Sequence, residues 1–425
     1  MESELFFLLS SGVRLGDEAL FDWENSGNSM SRRSLLGGTQ SSSANSAAAA
    51  AAAAAAQSSL QDAQNLKWKL AMWTKDTTEP AILRVPIAII FFIFLWAGNV
   101  WVLDKMGIAY HGVLSIKSNP LAFSLVVACL LTVTYALTMT LFSNMMGLPV
   151  ESGIGIFYFL LVASQVLLPS AMPGQETKAS FFRLCRTIIF PGSTISFPEV
   201  LLADALCSLS KVFKDVGVSV IVMYASLSGK SVVDLHEEGM LLCAVLASVP
   251  FAIRVRQCWV QLDGCKDSIG KVPITLNIIK YISSFPPIWL AAAASLGYFH
   301  PALPSITAAM ATINSLYSYL WDVIQDWGLL QFSRDGRVYG RQKYMFPMLA
   351  YAIACVINLV IRFSWAANRI PYFATFHASH LVLMVELAEV ARRAMWNFFR
   401  IEWEMLVQEI RTSNQNLFIL GQDKP

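Results

Sequence analysis

The sequence predicts an all-α, polytopic transmembrane helix bundle of about nine spans, with eight to ten compatible with the pattern. Three observations carry this. Only 14% of the 425 residues are charged, whereas a soluble globular chain carries about 25%. Hydrophobic residues make up 55% of the chain, and mean hydropathy is +0.52. From residue 84 onward the apolar residues form successive runs, each near or above the roughly 20 residues that a helix needs to cross the hydrocarbon core. A net charge of +2 is too small to argue for nucleic acid as a partner.

Residues 1–65 are rich in Ser, Gly and Asn and contain ten consecutive alanines, Ala47 to Ala56. Such a stretch buries too little apolar surface to fix a fold, and the alanine run is too short to span a bilayer. A disordered Ser/Ala-rich arm without catalytic content is expected. The opening Met1-Glu2-Ser3-Glu4 and the apolar Leu5 to Leu9 lack the basic region and longer apolar core of a secretory signal. The first true span is therefore expected to do the targeting.

The candidate spans are 84–103, 120–142, 153–172, 198–226, 237–253, 274–298, 302–323, 344–366 and 372–396. Residues 66–195 then hold the N-terminal spans and an interfacial segment. Residues 196–410 form a second transmembrane domain, and 411–425 a cytosolic tail. Segment 198–226 contains Asp204, Lys211, Lys214 and Asp215, so it cannot face lipid all round. Segment 237–253 is short and ends in Pro250, beside Arg254 and Arg256. The seven cysteines form no CxxC pair and lie mostly in apolar stretches, which reads as small buried hydrophobes.

Orientation follows from Lys and Arg in the short loops. Basic residues gather after spans three (Lys178, Arg183, Arg186), five (Arg254, Arg256, Lys266, Lys271) and seven (Arg334, Arg337, Arg341, Lys343). The intervening loops hold Lys230, nothing, and Arg369, which places the C-terminus in the cytosol. Nine spans then put residues 1–83 in the lumen, against Lys67, Lys69, Lys75 and Arg84. The two counts conflict, and the helix number stays open by one.

Ionisable residues inside the spans are the most informative feature, since each costs about 2.5–3.5 kcal/mol at a helix centre. Asp322 and Asp326 are four apart and share a helix face. Arg362 and Trp365 share another, three apart, and Glu389, Arg392 and Arg393 a third. Lys280 and Tyr281 lie in span six, and Asp204 in span four. Plainer readings exist for each. Arg392 and Arg393 suit the positive-inside end of the last span, and Asp322 and Asp326 a helix end near the cytosol. Arg362 is near enough to a span end to snorkel, and Lys280 to an interface. Together, four cations and four carboxylates come from five spans. Guanidinium groups and an ammonium around a polar cavity suit a tetrahedral oxyanion, phosphate and sulfate alike. His377 and His380 form an HxxH in the expected lumenal half of the last span and are not read as metal ligands. The sequence has no Gly-rich phosphate loop, nucleophile elbow or HExxH, so neither an enzyme nor a cofactor is expected.

Several stretches carry a resemblance. They are Trp321-Asp322 with Asp326-Trp327-Gly328, Ile361-Arg362-Phe363-Ser364-Trp365, and the run from Glu389 through Arg392-Arg393-Ala394-Met395-Trp396 to Glu402. Phe197 with Leu202-Ala203-Asp204, Arg254 with Gln257-Cys258, and Lys280-Tyr281 add to it. Over about residues 84–410 the chain resembles the EXS domain. That domain ends the eukaryotic phosphate exporters related to the retrovirus receptor, and forms the yeast Golgi protein needed to retain lumenal ER proteins. The resemblance implies a phosphate path through the 196–410 helices. Asp204, Lys280, Tyr281, Asp322, Asp326, Arg362, Trp365, Glu389, Arg392 and Arg393 match its phosphate-contacting or gating positions. Cys207 departs, standing where family exporters often carry Asn. Residues 1–80 are too short and too poor in Lys for the SPX sensor domain of the long exporters, so the chain is similar to the SPX-less, Golgi-type branch.

Two functions follow as expectations. One is ion transport: a phosphate exporter in the Golgi membrane that returns to the cytosol the phosphate released when nucleotide sugars are consumed. The other is a trafficking factor that retains or recycles Golgi glycosylation enzymes and ER lumenal proteins. The implied partners are inorganic phosphate, membrane lipid, a second copy in a homodimer, and the glycosyltransferase-recycling machinery.

Overall fold

The computed structural model describes residues 84–115, 124, 127, 129–133, 175–232, 234–296, 302–332, 337–341, 343–369 and 378–422. The Ser/Ala-rich arm, most of candidate spans two and three, and His377 lie outside the described residues.

The described chain is almost wholly helical. In chain order it has α1 (Arg84–Lys105), α2 (Tyr110–Leu114), α3 (Gln175–Ile189), α4 (Phe197–Ser208), α5 (Ser210–Ser228), α6 (His236–Gly264), α7 (Ser268–Ile282), α8 (Phe285–Ser295) and α9 (Leu303–Trp321). A π-helical turn (Asp322–Asp326) ends α9, and the hairpin β1 (Leu330–Phe332) and β2 (Val338–Gly340) follows. Then come α10 (Met348–Arg362), a 3₁₀ turn (Ser364–Arg369) and α11 (Ala378–Gln422). Two of these helices, α1 with 22 residues and α6 with 29, are long and apolar enough to cross a membrane.

Polarity is distributed as a lipid surround requires. In α10 the inward stripe is Tyr351, Ala354 and Asn358, while Leu349, Ile353, Val356 and Val360 point outward. Buried polar residues run through the interior: Asp204, Arg254, Gln257, Asp322, Asn358, Arg392 and Asn397 among others. Apolar lipid tails give helices little hydrophobic reason to associate, so close packing and interhelical hydrogen bonds must hold them. Both are present. Gly217 of α5 lies so near Cys243 of α6 that a Cβ would sit 3.0 Å from its Sγ. Asn99 Nδ2 of α1 donates to Ala394 O of α11 at 3.1 Å.

Helix ends follow local chemistry. Glu199 reaches back to the Ser196 N–H at 2.7 Å and starts α4, with Pro198 in its first turn. Asp267 caps α7 by accepting from the Ile269 and Gly270 N–H groups at 3.2 and 3.1 Å.

Several boundaries differ from the sequence reading. Segment 198–226 is two helices, broken at Leu209. Segment 274–298 is also two, broken at Ser283-Ser284. The 237–253 segment does not stop near Pro250, because α6 continues through that proline to Gly264, and the Ser210 hydroxyl donates to Ala247 O in the affected turn at 2.7 Å. The last helix runs on to Gln422, well past the expected end at 396.

At the π turn, Gly328 adopts φ +59°, and a Cβ there would lie 2.4 Å from the Trp403 indole of α11. Gly328→Ala is expected to cost ~2–4 kcal/mol, from left-handed strain plus overpacking. A lowered unfolding midpoint of the detergent-purified protein checks this. A midpoint equal to wild type would contradict the packing described.

Candidate functional site

Four helix discontinuities carry the charged residues that gather near α11, and each has a local cause. At Leu209 (φ −92°, ψ 9°) the N–H turns back to Leu206 O at 2.9 Å, ending α4 just after Asp204 and Ser208. Pro286 and Pro287 have no N–H to continue α7, so α8 starts there and Lys280 and Tyr281 occupy the last turn of α7. The Trp327 N–H bonds to Asp322 O at 2.8 Å, a five-residue step that makes the π turn and sets Asp322 and Asp326 inward. Such turns inside α-helices mark functional sites often. Past Arg362 the chain tightens into the 3₁₀ turn that carries Trp365.

One half of the cluster centres on Asp322. Its Oδ2 accepts from Arg362 Nε at 3.2 Å and also from Arg362 Nη2, and from Asn358 Nδ2 at 2.9 Å. Arg392 Nη1 lies 3.6 Å from the same oxygen and donates to Asn358 Oδ1 at 3.1 Å. Arg392 Nε pairs with Glu389 at 2.9 Å. Trp365 Nε1 donates to Ser315 Oγ at 3.1 Å, and that hydroxyl donates to Arg362 O at 3.2 Å. Trp365 thus props the arginine turn through Ser315.

The other half centres on Asp204. The Tyr281 hydroxyl donates to its Oδ1. Arg254 Nε lies 2.8 Å from that oxygen as an ion pair, with its N–H not aligned for a hydrogen bond. Arg254 also donates to Gln257 Oε1 and lies 4.9 Å from the Tyr281 ring centre. Lys280 Nζ sits between two rings, 4.3 Å from the centre of Tyr281 and 4.9 Å from that of Trp321.

Arg393 joins the halves. Its Nε donates to Ser208 Oγ at 2.8 Å, its guanidinium lies 4.3 Å from the Trp396 ring centre, and it interacts electrostatically with both Asp204 and Asp322. Lys280 likewise feels Asp326, Asp204 and Asp322. Asp326 faces Arg400 Nε at 3.7 Å on its other side.

All ten residues singled out from the sequence therefore fall in this one cluster. Asp322 and Asp326 do stand at a helix end, as does Arg362. Lys280 is only 7% exposed, so its ammonium is enclosed by protein. Arg392 and Arg393 are buried within a helix that continues to Gln422. Arg254 is the residue that sequence reasoning misplaced, in a loop after span five. It is 2% exposed, inside α6. Its i, i+3, i+4 spacing with Gln257 and Cys258 is the signal that the helix continues past Pro250. Ser208 and Asn358 were also missed, being neutral residues in apolar runs.

Comparison with known proteins follows this geometry. The EXS family profile matches residues 80–406, more than half of the chain, and takes in every residue of the cluster. The chain belongs to the EXS family. Among the relatives of this EXS chain, Protein ERD1 homolog 1 of Schizosaccharomyces pombe is 32% identical over 214 residues, 49% of this chain and 57% of that protein. Phosphate transporter PHO1 homolog 8 of Arabidopsis thaliana is 27% identical over 234 residues, 52% of this chain and 29% of that protein. Solute carrier family 53 member 1 of Mus musculus is 27% identical over 243 residues, 52% of this chain and 34% of that protein. The EXS chain thus matches less than two thirds of the length of each of these relatives.

Proposed function

We propose that this chain moves inorganic phosphate across an internal membrane, most specifically the Golgi membrane, through the cluster where the broken helices meet. The observation that carries the reading is a surplus of donors. Among the described residues, Lys280 Nζ makes no hydrogen bond or ion pair, and Arg393 commits only its Nε. Arg362 commits Nε and Nη2 to Asp322, leaving Nη1. A buried ammonium and guanidinium edges without acceptors suit a tetrahedral oxyanion, which accepts several charge-assisted hydrogen bonds at once. Discontinuous helices also free backbone polar groups within a bilayer, as transporter substrate sites require.

Oxyanion geometry alone does not choose phosphate. The name of one relative, a phosphate transporter, supports that choice. In this reading the chain has about nine spans with a cytosolic C-terminus, works as a homodimer in lipid, and carries no catalytic chemistry. Asp204, Asp322, Asp326 and Glu389 hold the cations in place and keep the empty site near neutral, while Tyr281 and Trp365 brace them.

The test is labelled-phosphate flux in proteoliposomes of purified protein. Arg393→Ala and Lys280→Ala are each expected to slow flux about 10- to 100-fold at equal incorporation, since a hydrogen bond to a charged group is worth about 1.5–3 kcal/mol. Wild-type rates in both would sink the transport reading. Retention or recycling of glycosylation enzymes through protein contacts would then be the remaining function.

A further inference from the structure

A second buried charge cluster lies outside the phosphate cluster, between α1, α5 and α11. Arg84 Nε donates to Asp215 Oδ2 at 2.8 Å and lies 3.6 Å from Glu386 Oε2. The Glu386 and Asp215 carboxyls thus share one guanidinium nitrogen and interact with each other electrostatically. Glu386 is 2% exposed, and among the described residues its Oε2 has no hydrogen-bond partner. Two buried carboxylates that crowd one cation repel, and neither supplies a hydrogen. One proton resolves both problems, because a protonated Glu386 donates to Asp215 and Arg84 balances the single remaining charge.

The other groups facing this pair are few. From α5 come half-buried Lys211 and exposed Lys214, and from α6 Cys243, which faces Lys214 and Asp215. From α11 comes Glu389, one turn past Glu386. Lys211 interacts with both Glu386 and Glu389, and Glu389 pairs with Arg392. Electrostatic interactions therefore link Glu386 through Lys211 to Glu389, which pairs with Arg392.

We propose that Glu386 and Asp215 form a proton site whose occupancy is coupled to phosphate movement, so that one proton travels with the anion; this rests on the transport reading above. The Glu386 carboxylate takes a proton from water on the side where phosphate enters. The resulting O–H donates to Asp215, and the proton returns to water on the far side as phosphate leaves. No electron transfer is involved. The direction follows from charge. An anion at Arg393 and Lys280 makes the neighbourhood more negative, which favours the protonated form of Glu386. By reciprocity, protonation of Glu386 favours the anion.

The experiment imposes a pH difference on proteoliposomes with phosphate on both sides and reads phosphate accumulation and internal pH. Wild-type protein is expected to accumulate phosphate on the less acidic side, by up to about tenfold per pH unit for one coupled proton. Glu386→Gln and Asp215→Asn are expected to exchange phosphate at equal pH but to lose accumulation. The protonation state of phosphate itself changes equally for all three proteins, so their difference reports the residues. Wild-type infrared difference spectra at neutral pH should also show a protonated-carboxyl band that Glu386→Gln removes, and its absence would overturn the proposal even if the variants fold poorly. Accumulation that survives in both variants overturns it too. Wild-type exchange that ignores the gradient overturns the coupling alone, whereas no exchange under any condition overturns the transport reading with it.

Discussion

Asp322→Ala is expected to lower stability by ~3–5 kcal/mol and to abolish phosphate flux. Its Oδ2 is the common acceptor for Arg362 and Asn358 and lies 3.6 Å from Arg392. Removing one partner of a buried ion pair costs that much because the remaining charge is left uncompensated. Here Arg362 loses its counter-charge and Arg392 loses one of two, keeping Glu389 at 2.9 Å. Arg362 and Arg392 would then repel each other and swing out of the cluster, which removes the donors proposed to hold phosphate. Denaturant titration in detergent and flux in proteoliposomes measure the two effects. Asp322→Asn keeps an oxygen at the same place and should fold better, yet it loses the charge and should still transport poorly. An unchanged midpoint with wild-type flux in Asp322→Ala would contradict the described network.

Glu402→Ala is expected to cost a similar ~3–5 kcal/mol, for a different reason and with a different signature. Glu402 is fully buried on α11, and its Oε1 accepts from Arg341 Nη2 at 2.7 Å, the Tyr351 hydroxyl at 2.5 Å and the Met345 N–H at 2.7 Å. Arg341 also donates to Trp327 O at 3.2 Å, directly after the π turn. The carboxylate thus ties the segment after β2 and the start of α10 to the last helix. Without it Arg341 is a buried charge with no counter-ion among the described residues, and the hairpin should detach. Proteolysis between β1 and α10 should speed up in Glu402→Ala, while Asp322→Ala should open the Asp322 cluster first. Equal protease resistance in wild type and Glu402→Ala would show that the hairpin is held elsewhere.

The reach of sequence reasoning differs residue by residue. Asp204, Lys280, Asp322, Arg362, Arg392 and Arg393 were legible because charges within apolar runs are costly and must find partners. The α7–α8 break was written in Pro286-Pro287, although it was read as part of one span. The break at Leu209 was not legible, since Ser208-Leu209-Ser210 contains no residue that forbids a helix. The π turn was not legible either, because five-residue hydrogen-bond steps have no strong composition. Arg254 was misplaced because a proline was taken as an end, whereas packing carried α6 through it. Glu386 was not singled out, as one more carboxylate on a helix that already held Glu389.

By itself the sequence determined the helical class, the apolar exterior and the set of charges that had to be buried together, because transfer free energies act on each residue type regardless of its neighbours. Membership of the EXS family follows from the same residues in their order. Tertiary structure decided which cation meets which carboxylate: Arg362 with Asp322, Arg254 with Asp204, and Arg84 with Asp215. It also decided which donors remain uncommitted, and that Asp215 and Glu386 share Arg84. Those outcomes depend on distances of a few ångströms between residues far apart in the chain. Coulomb and hydrogen-bond energies change steeply over such distances, and periodicity along a single helix carries no information about them.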